Sequence, residues 1–576
     1  MVLVYSEVTK EMRKNITILL LMILMTCNIL FWGSQKEGFH VDEMFSYEQV
    51  GNTEYPKPEY DRPGEPCMNC WHTRDYYLDY LTISSDEAFQ VGSFYRSASM
   101  NSAHPPLYLT LLGICISAVS PDHFTKWSGL FINLVFYVLM LLTFYDLSRL
   151  VLKKEKLAFF CTFLIGICVG IVSIAVFIRV YMMLSFFTVA FMNLHVRMLN
   201  VLLEHSQVFK KRAPVYLCFV LLLILGALSH YYFFIYAFFV CMFFSLILLL
   251  GKEYRQTIEY VTAGIFGVLG YCLIWPNILR DLFSGQRGVE AIGNLTSLPD
   301  GYGTILAHCL QDADRRLLGG FGLLFLAAMI LPLLIRFFRI HTPHYSLNSN
   351  GTFNFYYKIS PKKTEIGEIK NITAGNEWIM LFLILSSSIC SFLMIAKVAP
   401  VLLFDQYKDP RYFANLLPFF LLTTVFFVDR VFLLYFAKDS WKKYAWSILT
   451  LFVLSGYLTN GIDYLYKGAD TQIQQLKDYA NDKAIFITEL PYLSSNLNVY
   501  FTQTEAVYPT TRKGLLTISD ILAGQDNSEI LLYISTDTEN DYDVLQTINK
   551  QLDAKQCHFL FETVGRHTAR LYVLEI

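Results

Sequence analysis

The chain is 576 residues long, 54% hydrophobic and only 16% charged, with a mean hydropathy of +0.40. A soluble protein carries about 25% charged residues, so this composition excludes a water-soluble globule, and 47 Phe with 37 Tyr exclude a disordered chain. Twelve Cys are too few for a disulfide scaffold, and a net charge of −2 offers a nucleic acid no electrostatic support. The composition is that of a polytopic membrane protein.

In chain order, a polar start with Lys10, Arg13 and Lys14 precedes an apolar run over 16–32. That run closes Leu30-Phe31-Trp32-Gly33, without the small-residue site of a cleaved signal, so residues 1–34 read as a cytoplasmic N-terminus and an uncleaved first helix. A polar loop fills most of 35–123 and ends in a proline-led apolar segment, 105–119. This segment is short for a span and reads as an interfacial helix. Apolar runs follow near 124–148, 157–178, 181–200, 214–229, 231–250, 257–276, 317–335, 377–396, 413–428 and 444–462. With the first they predict about eleven transmembrane helices, the bundle occupying 124–462.

The basic residues set the direction. If 105–119 does not span, 23 of the 46 Lys and Arg fall on the side of the N-terminus, among them Lys153-Lys154 and Lys210-Lys211-Arg212. If it spans, those clusters face outward, against the positive-inside rule. The first loop and the tail over 463–576 then lie outside, the loop with twelve acidic residues against five basic ones. In the tail, 484–487, 530–534 and 571–574 read as short strands and 471–480 and 543–552 as helices, which predicts a small extracytoplasmic α/β domain. The expected fold class is therefore an all-α polytopic bundle in the cell membrane with a small α/β C-terminal domain.

The span interiors are nearly free of charge. Transporters and pumps keep ionisable groups at membrane depth, so a carrier or flippase is the weaker alternative and any chemistry belongs at the outer interface. Four motifs collect there. Gly38-Phe39-His40-Val41-Asp42-Glu43 follows the first helix, and a carboxylate held at a membrane surface can take a proton from a hydroxyl. His104-Pro105-Pro106-Leu107-Tyr108 opens the interfacial helix, whose N-terminus favours an anion. Arg179 with Tyr181, and Lys408-Asp409-Pro410-Arg411-Tyr412, place arginines beside aromatic rings. Such arginines bind phosphate, or simply anchor a helix at the interface. Cys67 and Cys70 form a C-x-x-C without a second pair, which reads as a local disulfide or two thiols rather than a metal site.

Taken together and in this order, Asp42-Glu43, Pro105-Pro106-Leu107-Tyr108 and Arg411-Tyr412 resemble the polyprenyl-phosphate-dependent GT-C glycosyltransferases. The likeness is to the bacterial branch of the protein O-mannosyltransferase and aminoarabinose-transferase group, over roughly residues 16–430. The stretches 124–128 and Ser229-His230-Tyr231-Tyr232 are also like those of a bacterial subgroup. The resemblance implies a hexosyl or pentosyl transfer from a polyprenyl-phosphate sugar to a hydroxyl of a glycan, lipid or protein, with inversion. Asp42 would be the general base and Glu43 a secondary carboxylate. His104, Arg179 and Arg411 would neutralise the lipid phosphate, with Tyr181 and Tyr412 as hydrogen-bonding neighbours. Many relatives carry a second acid where this chain reads Arg179-Val180-Tyr181, and its absence implies transfer without a metal or other cofactor. The topology has a direct check. Cysteines introduced at Lys153 and Lys210 are expected to react only with reagents applied from the cytoplasmic side; labelling from outside would invert the assignment.

Overall fold

The structure is a computed structural model, and it describes residues 2–51, 67–100, 104–203, 213–296, 302–330, 341–347, 353–359, 376–400, 409–432, 439–522, 529–538, 541–552 and 555–576. The long first helix α1 (Val2–Ser34) leads into a region that is not a loop. It folds into α2 (Val41–Gly51), α3 (Arg74–Leu81), α4 (Val91–Met100) and α5 (Leu107–Val119). Most of α2 is buried, its charged residues Glu43 and Glu48 included. The polar groups of α2 therefore largely serve internal contacts rather than solvent. Helix α5 is only 13 residues long and packs on α2, α4 and the next helix.

The bundle continues with α6 (Lys126–Leu152), α7 (Glu155–Gly166), α8 (Val169–Val176), α9 (Tyr181–Leu203), α10 (Ala213–Ser229), α11 (Tyr232–Leu250) and α12 (Tyr254–Ile274). Three helices then lie short or amphipathic, α13 (Ile278–Phe283), α14 (Gln286–Thr296) and α15 (Tyr302–Leu318), before the apolar helices Asn376–Val398, Leu417–Phe427 and Asp439–Thr459. Among the described residues seven helices are long and apolar enough to cross a membrane, or eight if α7 and α8 form one broken span. That pair is the run expected as a single helix over 157–178. It bends by 54°, where the Tyr137 hydroxyl donates to the Gly166 carbonyl at 2.7 Å and Cys168 is extended. α10 and the stretch Tyr444–Thr459 are apolar but shorter, and the run 317–335 is described only to residue 330.

The two ends of the bundle differ in charge. At one end Asp146 pairs with Arg149 (3.0 Å) and Arg197 (2.5 Å), Lys154 with Asp429 (2.6 Å) and Arg430 with Glu377 (3.5 Å). Such half-exposed pairs each contribute about 0–1 kcal/mol. They mark the end where the charge bias collects basic residues. At the opposite end sit α2, α5 and the sheet domain.

That domain is a six-stranded sheet in the order β1-β5-β4-β6-β8-β7. β4 (Lys483–Ile487) lies parallel to β5 (Ala506–Thr510) and β6 (Glu529–Ser535), while β7 (Gln556–Glu562) and β8 (Ala569–Glu575) complete an antiparallel edge. Successive residues of β4 and β6 enter two cores on opposite faces, Phe486 and Leu531 on one, Ile485 and Leu532 on the other. This explains their unbroken apolar runs. β1 (His72–Thr73) comes from the region before the bundle and pairs antiparallel with β5, so the sheet is not built from the tail alone. A second sheet pairs β2 (His341–Leu347) with β3 (Phe353–Ile359).

The domain is tied to α2 and to the segment before it by polar contacts. Glu48 accepts from Ser495 Oγ (3.0 Å) and Asn498 Nδ2 (2.7 Å), and Glu37 accepts from the Gly468 N–H (2.6 Å). Burial pushes the Glu48 carboxyl up to about 7, the two hydrogen bonds opposing that shift. A carboxyl raised in the docked state holds its proton there and gives it up on exposure. Docking is therefore strongest below the ordinary 4.5 and loses on the order of 3 kcal/mol as pH rises through 7. Limited proteolysis between pH 5 and pH 8 should release the sheet domain faster at pH 8. Glu48→Gln should flatten that dependence.

Candidate functional site

The site assembles where α1, α2, the start of α5, the α8–α9 turn and the segment Asp409–Leu416 meet the sheet domain. Helix α2 begins at the right place because of its own first residues. His40 Nδ1 accepts from the Asp42 N–H (3.0 Å), while Glu43 Oε2 accepts from the His40 N–H (2.7 Å). This is the reciprocal geometry of a capping box with a histidine in the capping role. It aims the Asp42 side chain, 23% exposed, out of the helix end.

Glu43 departs from the expectation of a second carboxylate facing substrate. It is fully buried, and both its oxygens are taken: Oε2 by the His40 N–H and by Lys36 Nζ at 2.9 Å, Oε1 by the Ile178 N–H at 2.7 Å. Lys36 Nζ also donates to the Tyr464 carbonyl at 2.6 Å. Burial moves both partners of this pair towards their neutral forms, and their mutual attraction opposes it. Glu43 thus fastens α2 to the α8–α9 turn. The close approach needs Gly129, where a Cβ would lie 2.1 Å from Ile178 Cγ2. Asn133 braces the same turn from α6, donating to the carbonyls of Ala175 (3.2 Å) and Phe177 (2.5 Å).

The turn presents Arg179, whose Nη1 donates to Ser46 Oγ (2.7 Å) and whose Nη2 meets His104 Nε2 at 2.9 Å. A guanidinium only donates, so in this contact His104 accepts and orients Arg179. Across the site, Asp409 caps the 3-10 helix Pro410–Leu416 by accepting from the Arg411 N–H at 3.1 Å. Arg411, 7% exposed, lies between two carboxylates, with Nη1 2.6 Å from Asp42 Oδ2 and Nε 3.3 Å from Asp409 Oδ2. The rings of Phe177, Tyr181 and Tyr412 surround its Cζ at 5.3–5.5 Å. Neither Nε nor Nη1 finds an aligned hydrogen-bond acceptor, so the ion pairs leave its directional capacity unspent.

All seven residues singled out from sequence therefore lie in one neighbourhood, with Asp42 partly exposed and Glu43 sealed behind it. Lys408 lies outside the described residues. Four contributors carry no role in the sequence reading. Asp409 carries the Asp-Pro signal of a helix start. His230, in the stretch Ser229-His230-Tyr231-Tyr232, is buried and packs on His104 (5.7 Å between ring centroids) and Tyr181 (5.6 Å). Tyr464 stacks on Phe177 at 4.1 Å. Arg566, from the β7–β8 turn, reaches Asp409 Oδ2 at 3.0 Å and His40 Nε2 at 3.3 Å, and nothing in the sequence marks it.

Electrostatics follow from this packing. Burial resists ionisation of Asp42, but Arg411 foremost, with His40 and Arg179, outweighs it and holds the carboxyl well below the usual range. Asp409 is likewise held low, by Arg411 and Arg566 against burial. His40 and His230 are each pushed down to about 3, chiefly by burial, with the guanidiniums adding to it. Both rings are therefore neutral. Three guanidiniums, Arg179, Arg411 and Arg566, then face two carboxylates, and the balance favours an anion. Among the described residues no three His, Cys, Asp or Glu side chains converge as metal ligands do. The C-x-x-C lies apart: Cys70 Sγ contacts the Cys67 carbonyl (3.1 Å) and His72 Nε2 (3.5 Å) at the sheet edge.

No family model matches the chain, and no curated protein matches it in sequence. Solved structures do. ArnT from Cupriavidus metallidurans bound to undecaprenyl phosphate superposes with a TM-score of 0.51 at 10% identity, over 96% of this chain and 97% of that one. The apo state of the same protein gives 0.48 at 10% identity, over 97% and 98%. The oligosaccharyltransferase of Archaeoglobus fulgidus, in complex with zinc and sulfate, gives 0.43 at 13%, over 90% and 68%. The first of these shows the fold over nearly the whole length: the chain has the GT-C glycosyltransferase fold. The Lys36–Glu43 anchor predicts that Glu43→Gln destabilises the detergent-solubilised protein by about 3–5 kcal/mol, since it strands a buried charge. Lys36→Met added to it should restore much of the loss in a thermal unfolding assay.

Proposed function

We propose that the protein is an integral membrane glycosyltransferase that moves a monosaccharide from a polyprenyl-phosphate donor to a hydroxyl acceptor. The observation that carries this reading is Arg411: a buried guanidinium with unspent donors, walled by three aromatic rings, 2.6 Å from a partly exposed carboxylate. Arg179 supplies a second positive charge, whose guanidinium donates to Ser46 Oγ and meets His104 Nε2. Such a pair suits a phosphate, and the fold it occurs in is shared with an ArnT bound to undecaprenyl phosphate.

With Arg411 on it, Asp42 is a poor base. A donor phosphate that draws Arg411 towards itself replaces one anion by another on the guanidinium and leaves Asp42 Oδ2 free, its proton affinity raised by the new negative charge. The acceptor oxygen then attacks the anomeric carbon as Asp42 takes its proton. The bond from that carbon to the phosphate oxygen breaks, and the electron pair leaves with the polyprenyl phosphate. Arg411 and Arg179 stabilise the charge that builds there. One displacement inverts the anomeric configuration. Glu43 and His104 position the groups that do this, and Tyr181 and Tyr412 form the wall. The reading includes no metal, because both carboxylates of the site already answer guanidiniums.

The site end would face outward, with the N-terminus cytoplasmic and the sheet domain extracytoplasmic, in keeping with the basic cluster at the other end. In proteoliposomes loaded with a polyprenyl-phosphate sugar, Asp42→Asn should lower transfer by about 100-fold or more while leaving donor binding intact. Arg411→Ala should weaken binding and turnover together. Unchanged transfer by Asp42→Asn would remove the catalytic assignment.

A further inference from the structure

From the C-terminal sheet domain, the side chain of Arg566 reaches into the site. Arg566 sits in the turn between β7 and β8, and that turn is held from several sides. Val564 N–H donates to Gln472 Oε1 (3.1 Å) and to the Tyr500 hydroxyl (3.2 Å), Asn496 Nδ2 donates to the His567 carbonyl, and Thr568 Oγ1 donates to Glu562 Oε1 (2.7 Å). The Thr536 N–H and hydroxyl both donate to the Thr568 carbonyl at 2.9 Å. A turn braced in this way aims its side chain at small entropic cost. Arg566 Nη1 meets Asp409 Oδ2, the same oxygen that faces Arg411 Nε.

We propose that Arg566 is a positioning residue for the donor-phosphate site: it shares Asp409 with Arg411, so that Arg411 keeps enough positive charge to hold a phosphate. The inference rests on the donor-phosphate reading above. Its logic is a charge balance. With Arg566 present, two carboxylates, Asp42 and Asp409, are divided between two guanidiniums. Without it both fall on Arg411, which is then over-neutralised and a weaker partner for a third anion. The remaining ligands of Asp409, the Arg411 N–H and the Tyr464 hydroxyl at 3.3 Å, are neutral and cannot take over that share. The sheet domain is thereby part of the site's electrostatics, and its docking through Glu48 and Glu37 places Arg566 within reach.

The test uses the full-length protein in detergent, with undecaprenyl phosphate as the probe and undecaprenol as its uncharged counterpart. Arg566→Ala is expected to weaken undecaprenyl phosphate binding about tenfold or more and to leave undecaprenol binding unchanged. Arg566→Lys should recover part of the loss. The distinguishing variant is Arg566→Ala with Asp409→Asn, because Asn keeps the helix cap while removing the surplus charge. It should bind within about threefold of the wild type, a compensation that only coupled charges give. Wild-type binding by Arg566→Ala overturns the proposal, as does a loss that neither Asp409→Asn nor Arg566→Lys repairs. If Arg411→Ala also binds like the wild type, the donor-phosphate reading itself fails, and the two failures are told apart.

Discussion

A positive charge held away from water has to be answered by charge, and Arg411 is answered on two sides. Much of the site end of this molecule can be understood as the means of bringing those answers to it. Asp42 arrives on a short helix whose first turn is closed by His40 and Glu43, and that helix is fixed to the bundle by the Lys36–Glu43 pair. Asp409 arrives as the cap of the helix that carries Arg411 itself. Arg566 comes from 157 residues further along the chain, and the sheet domain has to be docked for it to be there. Each link is a polar contact in a dry place, where a hydrogen bond made is strong and one missed is costly.

The same dryness divides labour between two adjacent acids. Glu43 and Asp42 are neighbours in sequence and differ in environment. Glu43 turns inward and its three donors leave it nothing to offer a substrate. Asp42 is 23% exposed and pairs with Arg411 at 2.6 Å and with His40 at 3.7 Å. One carboxylate is sealed among donors and the other is left partly exposed beside Arg411. The histidines follow a similar logic, since burial beside guanidiniums keeps His40 and His230 neutral and leaves them to orient and to pack.

Much of the architecture was legible because run length and alternation report directly on solvent. The apolar runs of the bundle, and the strands at 484–487, 530–534 and 571–574, reappear as helices and as β4, β6 and β8. Three features were not legible. The break between α7 and α8 depends on Tyr137 taking a carbonyl, a contact 29 residues away in sequence. The region 35–104 is polar and reads as solvated, yet α2 is buried because its polar groups find partners on α8–α9 and on the sheet domain. And β1, two residues long, is a strand only because β5 offers it an edge.

For the site the division is sharper. The sequence by itself determined that the chain is a membrane bundle, and its motifs nominated Asp42, His104, Arg179 and Arg411, because these charged residues collect at one predicted interface beside aromatic rings and a proline-led helix start. Only the tertiary structure decided what each one touches. It buried Glu43 against Lys36, set His104 beside the Arg179 guanidinium, and brought in Arg566. The reason is physical: a side chain's charge state and availability depend on what shares its dry environment, and those neighbours come from segments hundreds of residues apart.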